Sequence, residues 1–454
     1  MIEQATIDFL TDLLGSERVS TTEADLTAHS QDESTQPPHP PDVVVWPENA
    51  QEISAILKYA NSHRIPVVPW SGGSSLAGNP IPVKGGIVLA LYRLNAILEL
   101  REKDLQVVVQ PGVICDDLNA YLARYGLFYP PEPASHDVAT IGGMVANHSS
   151  GMHAATYGGT RDHVLALEVV LPDGRIIHIG HPVLKSASGY DLASLFIGSE
   201  GTLGVVTEIT LRLALVPEKI SAVATFPTME AASQAIYETI RFGPLPAALE
   251  LMDPGSVRLV NQYRELELEE VPTLVMEFHG TPDGIAQEVA LIRETCELTG
   301  ASSFQTADNP TDSARLWEGR SEAHNACKYL NPDYSVQIGD IVVPISRYTE
   351  AVLKAYELAE KLGIRIVSFG HAGDGNLHVE RFWRKDNPEE QTRAEEFNTR
   401  LIEWTLSVGG TCTGEHGVGS GKRRFMRQEH GEALEVMKAI KDLFDPNGIM
   451  NPGK

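Results

Sequence analysis

The sequence predicts an α+β protein in two parts: a mixed first half, then an α/β half in which helices cover a sheet. Three observations carry this reading. Between residues 43 and 213, short β-branched runs and helical stretches follow one another irregularly, separated by glycine-rich loops. Near 215–220 the pattern changes to regular strand, helix, strand units. With 454 residues, 42% apolar and 21% charged, the chain has the make-up of an ordinary folded protein of two or three domains.

Taken in order, QDESTQPPHPPD (31–42) is a proline-rich lead-in loop and 43–46 a short apolar strand. Residues 50–62 place Ile53, Ile56, Leu57 and Ala60 on one face of a helix. IPVVP (65–69) is a strand, then come strand-like runs at 86–91 and 105–110, a helix near 114–125, and a long Gly/Ser/Thr region at 132–160 without period. Residues 163–180 read as a hairpin turning at Pro172-Asp173-Gly174, and 202–213 as another strand pair. The second half gives elements at 220–226, 229–241, 273–279 and 284–299, a helix over 315–329 and a long helix at 346–362. IRIVSFG and LHVERFW are strands joined by a tight turn; a helix at 388–408, a glycine-rich loop and a final helix follow. The expected domains are 1–217, a helix-covered substrate cap at 218–430, and a tail at 431–454 that returns to the first domain.

The formal net charge of -25 repels nucleic acid and anionic lipid, and excludes nucleic-acid binding as a function. It also favours backbone N–H groups over basic side chains as phosphate ligands. Cys115, Cys296, Cys327 and Cys412 form no CxxC pair, which argues against iron–sulfur and zinc-thiolate sites. The N-terminus lacks the basic and apolar regions of a signal peptide, and no apolar run is long enough to span a membrane. The expected location is the cytoplasm, with peripheral membrane association open.

Three glycine-rich segments carry the chemistry. The loop from Trp70 to Asn79, WSGGSSLAGN, follows a buried-looking strand; Gly72, Gly73 and Gly78 permit close backbone approach, and Ser71, Ser74 and Ser75 add hydroxyls. Alone it also suits a surface turn. A second segment, PEPASHDVATIGGMVANHSSG (131–151), is long and structureless, which in a compact domain usually marks a ligand. The third is GYDLASLFIGSEGTLGVVTEITLRL (189–213). In this order the three resemble the FAD-binding domain of the vanillyl-alcohol oxidase and p-cresol methylhydroxylase flavoprotein superfamily, most closely its D-lactate dehydrogenase and glycolate oxidase branch. The likeness runs from about Asp42 to Lys454.

The resemblance implies that Trp70 and Ser71 to Ser75, with Gly78 and Asn79, hold the FAD pyrophosphate. Pro131, Ser135, Gly142, Gly143, Asn147, Ser150, Gly151, Tyr157 and Gly158 would line the flavin path. Gly204, Val206 and Asn451 would complete the cofactor site. Some superfamily members tether FAD through a histidine in the first loop; this loop has none, so non-covalent FAD is expected. A Rossmann G-x-G-x-x-G is absent where a nicotinamide cofactor would need it.

SFGHAGDGNLHVE (368–380) holds His371 and His378 about a strong hairpin signal, Asp374-Gly375, which would let both imidazoles converge. They also suit two polar residues beside a turn. GGTCTGEHGVGSGK (409–422) adds Glu415 and His416. Two histidines and a carboxylate with an open position match a divalent-metal site, zinc favoured, manganese or iron(II) also open. By the resemblance, His371, His378 and Glu415 are the ligands, His416 is the catalytic base and Asn376 contacts substrate; Asp374 is a turn residue. Arg320 and His324 lie four apart on the helix over 315–329, and an Arg can grip a carboxylate through two parallel hydrogen bonds. Trp317-Glu318-Gly319-Arg320 matches the W-x-x-R carboxylate clamp of the relatives.

The expected activity is FAD-dependent oxidation of a small D-2-hydroxy acid, D-lactate to pyruvate in the first place. Glycolate and D-2-hydroxyglutarate are the alternatives. SVQIG (335–339) lacks the Lys that dicarboxylate enzymes of the family carry. Electrons would pass to an external acceptor (a cytochrome, a quinone or an electron-transfer flavoprotein). A homodimer is a compatible assembly.

Overall fold

A computed structural model describes residues 2–307 and 309–454, and the chain divides into two compact units. The first comprises 1–150, 158–216 and 415–454; the second 151–157 and 217–414.

In the first unit, Val43–Val45, Ile87–Ala90 and Val67–Trp70 form a parallel ladder, with Val19–Ser20 added antiparallel at the edge. Strands buried on both sides read as continuous apolar runs, as these do. The helix Ala50–His63 starts at Asn49, whose side chain accepts from the Glu52 amide, and buries Ile53, Ile56 and Leu57 completely. Each such side chain contributes about 1.5–3 kcal/mol by leaving water. A five-stranded antiparallel sheet, in the order Ile97–Arg101, Gln106–Val109, Val205–Arg212, Val164–Val170, Ile176–Gly180, forms the unit's other half. The end of the chain is stitched to the parallel sheet: the Val67 amide donates to Ile449 O at 2.7 Å and the Asn451 amide to Val67 O at 2.8 Å.

The second unit is built on an eight-stranded antiparallel sheet. Its order is Ser303–Thr306, Glu218–Thr225, Thr273–Gly280, Ala248–Met252, Arg365–His371, Asn376–Arg384, Tyr334–Ile338, and Ile341–Val342 also pairs with Asn376–Arg384. Strand–helix–strand order suggested a classical α/β layer. Here the crossover through Met229–Phe242 joins two strands that are not neighbours, and Thr273–Gly280 fills the slot between them, running the other way. The hairpin at Asp374-Gly375 forms as expected: Gly375 takes φ +84, and a Cβ there would lie 2.3 Å from Val343 O.

Several elements differ from the expectation. The region 132–160 contains three short helices, Ile141–Asn147, Ala154–Tyr157 and Thr160–His163. The expected strand pair at 202–213 is one strand, Val205–Arg212, because Gly204 belongs to the preceding turn. The helix expected over 315–329 is broken at Glu322, where ψ is 5°, into Pro310–Ser321 and Ala323–Tyr329; the Glu322 carboxylate accepts from Arg264 and Asn325. Among the described residues no helix is long and apolar enough to cross a membrane.

Candidate active site

In the first unit the loop after Trp70 is tied to one buried carboxylate, that of Asp32. Asp32 Oδ2 accepts from Ser75 Oγ at 2.7 Å and from the Gly78 amide at 2.8 Å. Ser71 Oγ and Thr140 Oγ1 are 2.6 Å apart, and Gly143 packs against Ser71, so the first and second glycine-rich segments meet. Gly72 cannot be replaced without movement: a Cβ would sit 2.5 Å from Val138 O. Beside Gly72 opens a cavity of about 380 Å³, lined also by Val113, Ile114, Val138 and Thr140.

The third segment arrives through Glu200, a residue that sequence reasoning missed. Its carboxylate accepts from the amides of Val418 and Gly419 at 2.7 and 2.9 Å. Asn451 Nδ2 donates to Asn79 O at 2.9 Å and Glu200 O at 2.7 Å; Asn79 Nδ2 donates to His416 O at 3.2 Å. The side-chain oxygens of Asn79 and Asn451 are both buried without a protein partner. Two orphaned acceptors beside a loop stripped of side chains are what a cofactor with its own donors would complete. Gly142 and Gly204 are demanded by packing, against Pro111 and the Val170 backbone. Pro131 O accepts from Cys115 Sγ, and Ser135 O caps the amides of Val138 and Ala139, both shaping the second segment. Asn147 ends the helix Ile141–Asn147, Ser150 packs against Gly159, Gly158 takes φ +88, and Val206 lies in the five-stranded sheet opposite Val169. His148, next to Asn147, is a further missed residue. It adopts φ +55, its Nε2 is buried without a partner, and burial lowers its pKa from the ordinary value, with Arg161 adding to the effect.

In the second unit the register of the sheet decides which side chains meet. Side chains two apart on a strand, and those of paired residues, share a face. Glu250 pairs with His371, Phe369 with His378, Ala248 with Glu277, and Val367 with Glu380. One face therefore carries Glu277, Glu250, His371, His378 and Glu380. Glu250, fully buried and unforeseen from sequence, is the pivot of this row. Its Oε1 lies 2.8 Å from His371 Nδ1; its Oε2 lies 2.8 Å from Arg320 Nε and 2.6 Å from Nη2. Arg320 also stacks over Phe369, 4.8 Å from the ring centre. Trp317, three residues before it, anchors the helix by donating from Nε1 to Ser221 Oγ at 2.9 Å.

The rings of His371 and His378 are 5.2 Å apart and nearly perpendicular. Each uses Nδ1 toward an acceptor, His371 toward Glu250 and His378 toward Gly339 O at 3.2 Å. That contact sets the tautomer in which Nε2 carries the lone pair a metal requires. Asn376 Nδ2 donates to Asp340 Oδ1 at 2.8 Å and to Ile341 O, while its Oδ1 is buried without a partner. Asp340 Oδ2 also accepts from Thr413 Oγ1 and the Gly414 amide, at 2.8 and 2.9 Å; Glu415 and His416 are the next two residues of the chain. Asp374 accepts from the Asn376 amide, a turn role. The helix breaks at Glu322, between Arg320 and His324, and His324 Nδ1 lies 2.6 Å from Glu380 Oε1. Gly151 and Tyr157 belong to this unit, where Tyr157 Oη lies 2.8 Å from His279 Nδ1. Tyr348 is fully buried; burial holds its phenol well above the ordinary value, and the Glu250 and Asp374 carboxylates add to the shift.

The sequence matches two family profiles, an FAD binding domain over residues 41–180 and the C-terminal domain of FAD linked oxidases over 216–454. It is 40% identical over 416 residues to the mitochondrial D-lactate dehydrogenase [cytochrome] of Arabidopsis thaliana, covering 91% of this chain and 73% of that protein. It is 38% identical over 461 residues to the glycolate oxidase subunit GlcD of Bacillus subtilis, covering 100% and 97%. Among solved structures, 4-ethylphenol oxidase from Gulosibacter chungangensis superposes with TM-score 0.82 at 20% identity, covering 99% of this chain and 96% of that one. The p-cresol methylhydroxylase structure gives 0.82 at 16% identity, with the same coverage. The two solved structures share the fold, and the chain belongs to the family of FAD-linked oxidases that contains the D-lactate dehydrogenases and the glycolate oxidase subunit GlcD.

Proposed function

We propose that the protein oxidises a D-2-hydroxy acid, D-lactate to pyruvate in the first place, using non-covalently held FAD and a divalent metal, and passes the electrons to an external acceptor. The observation that carries this is the shared Glu250 carboxylate, which fixes an arginine and a would-be metal-ligating histidine side by side on one buried sheet face. The similarity to proteins named D-lactate dehydrogenase supports the substrate.

When bound, the flavin supplies the hydride acceptor and the metal supplies Lewis acidity that lowers the pKa of the C2 hydroxyl. The cofactor loop, Trp70 to Asn79, with Asn451, holds FAD through backbone and amide groups. His371, His378 and Glu415 would hold the metal, with two nitrogens and one oxygen, a donor set that fits zinc and also admits manganese or iron(II). Arg320, its orientation locked by Glu250, grips the substrate carboxylate. Asn376 offers its unpaired Oδ1 to a substrate hydroxyl proton. His416 is the base that removes the hydroxyl proton. His324, whose Nδ1 lies 2.6 Å from Glu380 Oε1, would face the substrate.

A substrate screen with an artificial electron-accepting dye tests the reading. D-lactate should give a higher kcat/KM than glycolate, D-2-hydroxyglutarate or L-lactate. A dicarboxylate needs a second buried cation, and Tyr334–Ile338 carries none. A clear preference for D-2-hydroxyglutarate would overturn the substrate assignment. Rapid reoxidation of the reduced flavin by air alone would make the protein an oxidase.

A further inference from the structure

The face that carries Glu250 and the His371–His378 pair carries a second set of ligand-type side chains that the proposed reaction does not use. Glu277 and His279 are two apart on Thr273–Gly280, so they project together, and Lys219 pairs with His279 across the strands. His153 reaches the same point from the short segment 151–157. His279 Nε2 lies 2.6 Å and His153 Nε2 3.1 Å from one atom, Glu277 Oε1, and the three ligand atoms lie within 4.8 Å of one another. The imidazoles are 5.4 Å apart, close to the 5.2 Å of His371 and His378. The side chains are nearly dry, with exposures of 2% for Glu277, 8% for His279 and 11% for His153.

We propose that His153, Glu277 and His279 form a second divalent-cation site, distinct from the one at His371 and His378 and of the two-nitrogen, one-oxygen type that zinc fills. The tautomer argument supports it. Tyr157 Oη, 2.8 Å from His279 Nδ1, suits an Nδ1–H donor, which turns the Nε2 lone pair of His279 onto the lone pairs of Glu277 Oε1. In that tautomer two acceptors face each other at 2.6 Å, and a cation shared between them relieves the repulsion. A metal held by His279, His153 and Glu277 at once provides it, with the fourth position open. Lys219 marks the way in: its ammonium, on a side chain 57% exposed, sits 3.1 Å from the other oxygen, Glu277 Oε2, where it competes for the carboxylate's charge.

The test counts zinc in full-length, flavin-loaded protein equilibrated with zinc and then dialysed. His279→Ala and His153→Ala should each hold one zinc fewer per chain than wild type, while His378→Ala, which removes a ligand of the other site, leaves this ion in place. That separation keeps a failure here distinct from a failure of the proposed active-site metal. Lys219→Ala, at an exposed position that leaves folding intact, should tighten the site on the order of tenfold, because a positive charge beside a divalent ion is removed. A hydrogen-bonded cluster with protonated histidines would show none of this. The proposal is overturned if His279→Ala holds as much zinc as wild type, or if Lys219→Ala leaves zinc affinity within twofold.

Discussion

Replacing Glu250 with Gln isolates the coupling between the arginine clamp and the metal-side histidine. The Glu250 carboxylate presents one oxygen to each: Oε1 to His371 Nδ1, Oε2 to Arg320. Arg is donor-only, and His371 in its ligating tautomer also donates from Nδ1. Gln has the same shape but one acceptor and one donor, so one of the two partners must face an N–H. A hydrogen bond to a charged group is worth about 1.5–3 kcal/mol, which corresponds to roughly ten- to hundredfold. If the amide turns its N–H₂ to Arg320, the loss should appear in kcat/KM for every substrate sharing the C1 carboxylate. If it turns to His371, it should appear as weaker metal retention against a chelator. Glu250→Asp keeps both acceptors on a shorter arm and should recover part of either loss. Glu250→Ala should in addition destabilise the fold by about 3–5 kcal/mol, since it leaves a guanidinium that is 2% exposed without its counter-charge. Dye-linked kinetics, chelator competition and urea melts read the three quantities. Glu250→Gln with kcat/KM and metal retention both within twofold of wild type would refute the coupling.

Three further outcomes follow from the same geometry. His416→Ala should lower turnover by about 10²–10⁴, the usual worth of a general base, with metal content nearly unchanged; a drop under tenfold places the base elsewhere. Gly72→Val should cut FAD occupancy of the purified protein, read from the flavin-to-protein absorbance ratio, because the Val138 carbonyl leaves no room for a Cβ, whereas FAD from wild type should pass into the supernatant on acid precipitation. His148, whose folded pKa is depressed by burial, stays neutral in the fold; its contribution to stability is present above its unfolded pKa and is lost as pH falls through the folded one. His148→Gln should flatten the fall in melting temperature on the acid side of about pH 6.5, the unfolded value, and an unchanged pH profile would remove His148 from the account.

The hairpin at Asp374-Gly375, the loop after Trp70 and the helix Ala50–His63 were legible because each rests on a local signal: a turn dipeptide, a glycine cluster, an apolar period. Glu250 was not. Its strand, Ala248–Met252, is buried at every position, so it shows no alternation, and Ala, Leu, Glu and Met are helix-favouring residues. The strand exists because two neighbouring strands satisfy its backbone, a fact no local window contains. Glu200 was hidden for a similar reason, since its partners Val418 and Gly419 lie more than two hundred residues away in the chain. The break at Glu322 escaped because neither a glycine nor a proline stands at it. Arg320 was picked out by its neighbour Trp317, and the structure adds what holds it.

The link from Asn451 to Asn79 and Glu200 has a consequence for how the protein is made. Asn79 and Asn451 are 372 residues apart, and Val67 takes its neighbours Ile449 and Asn451 from the same late segment. A chain emerging from the ribosome can assemble the parallel sheet and the glycine loop early, but it meets the residues that fasten them only after 372 further residues have been made. Until that segment has emerged the nascent loop lacks the contacts that close it, and tight flavin capture has to wait for them. Flavin supply then acts as a ligand that pulls the finished chain toward its native state, so cells short of flavin should accumulate the protein as a protease-sensitive apo form.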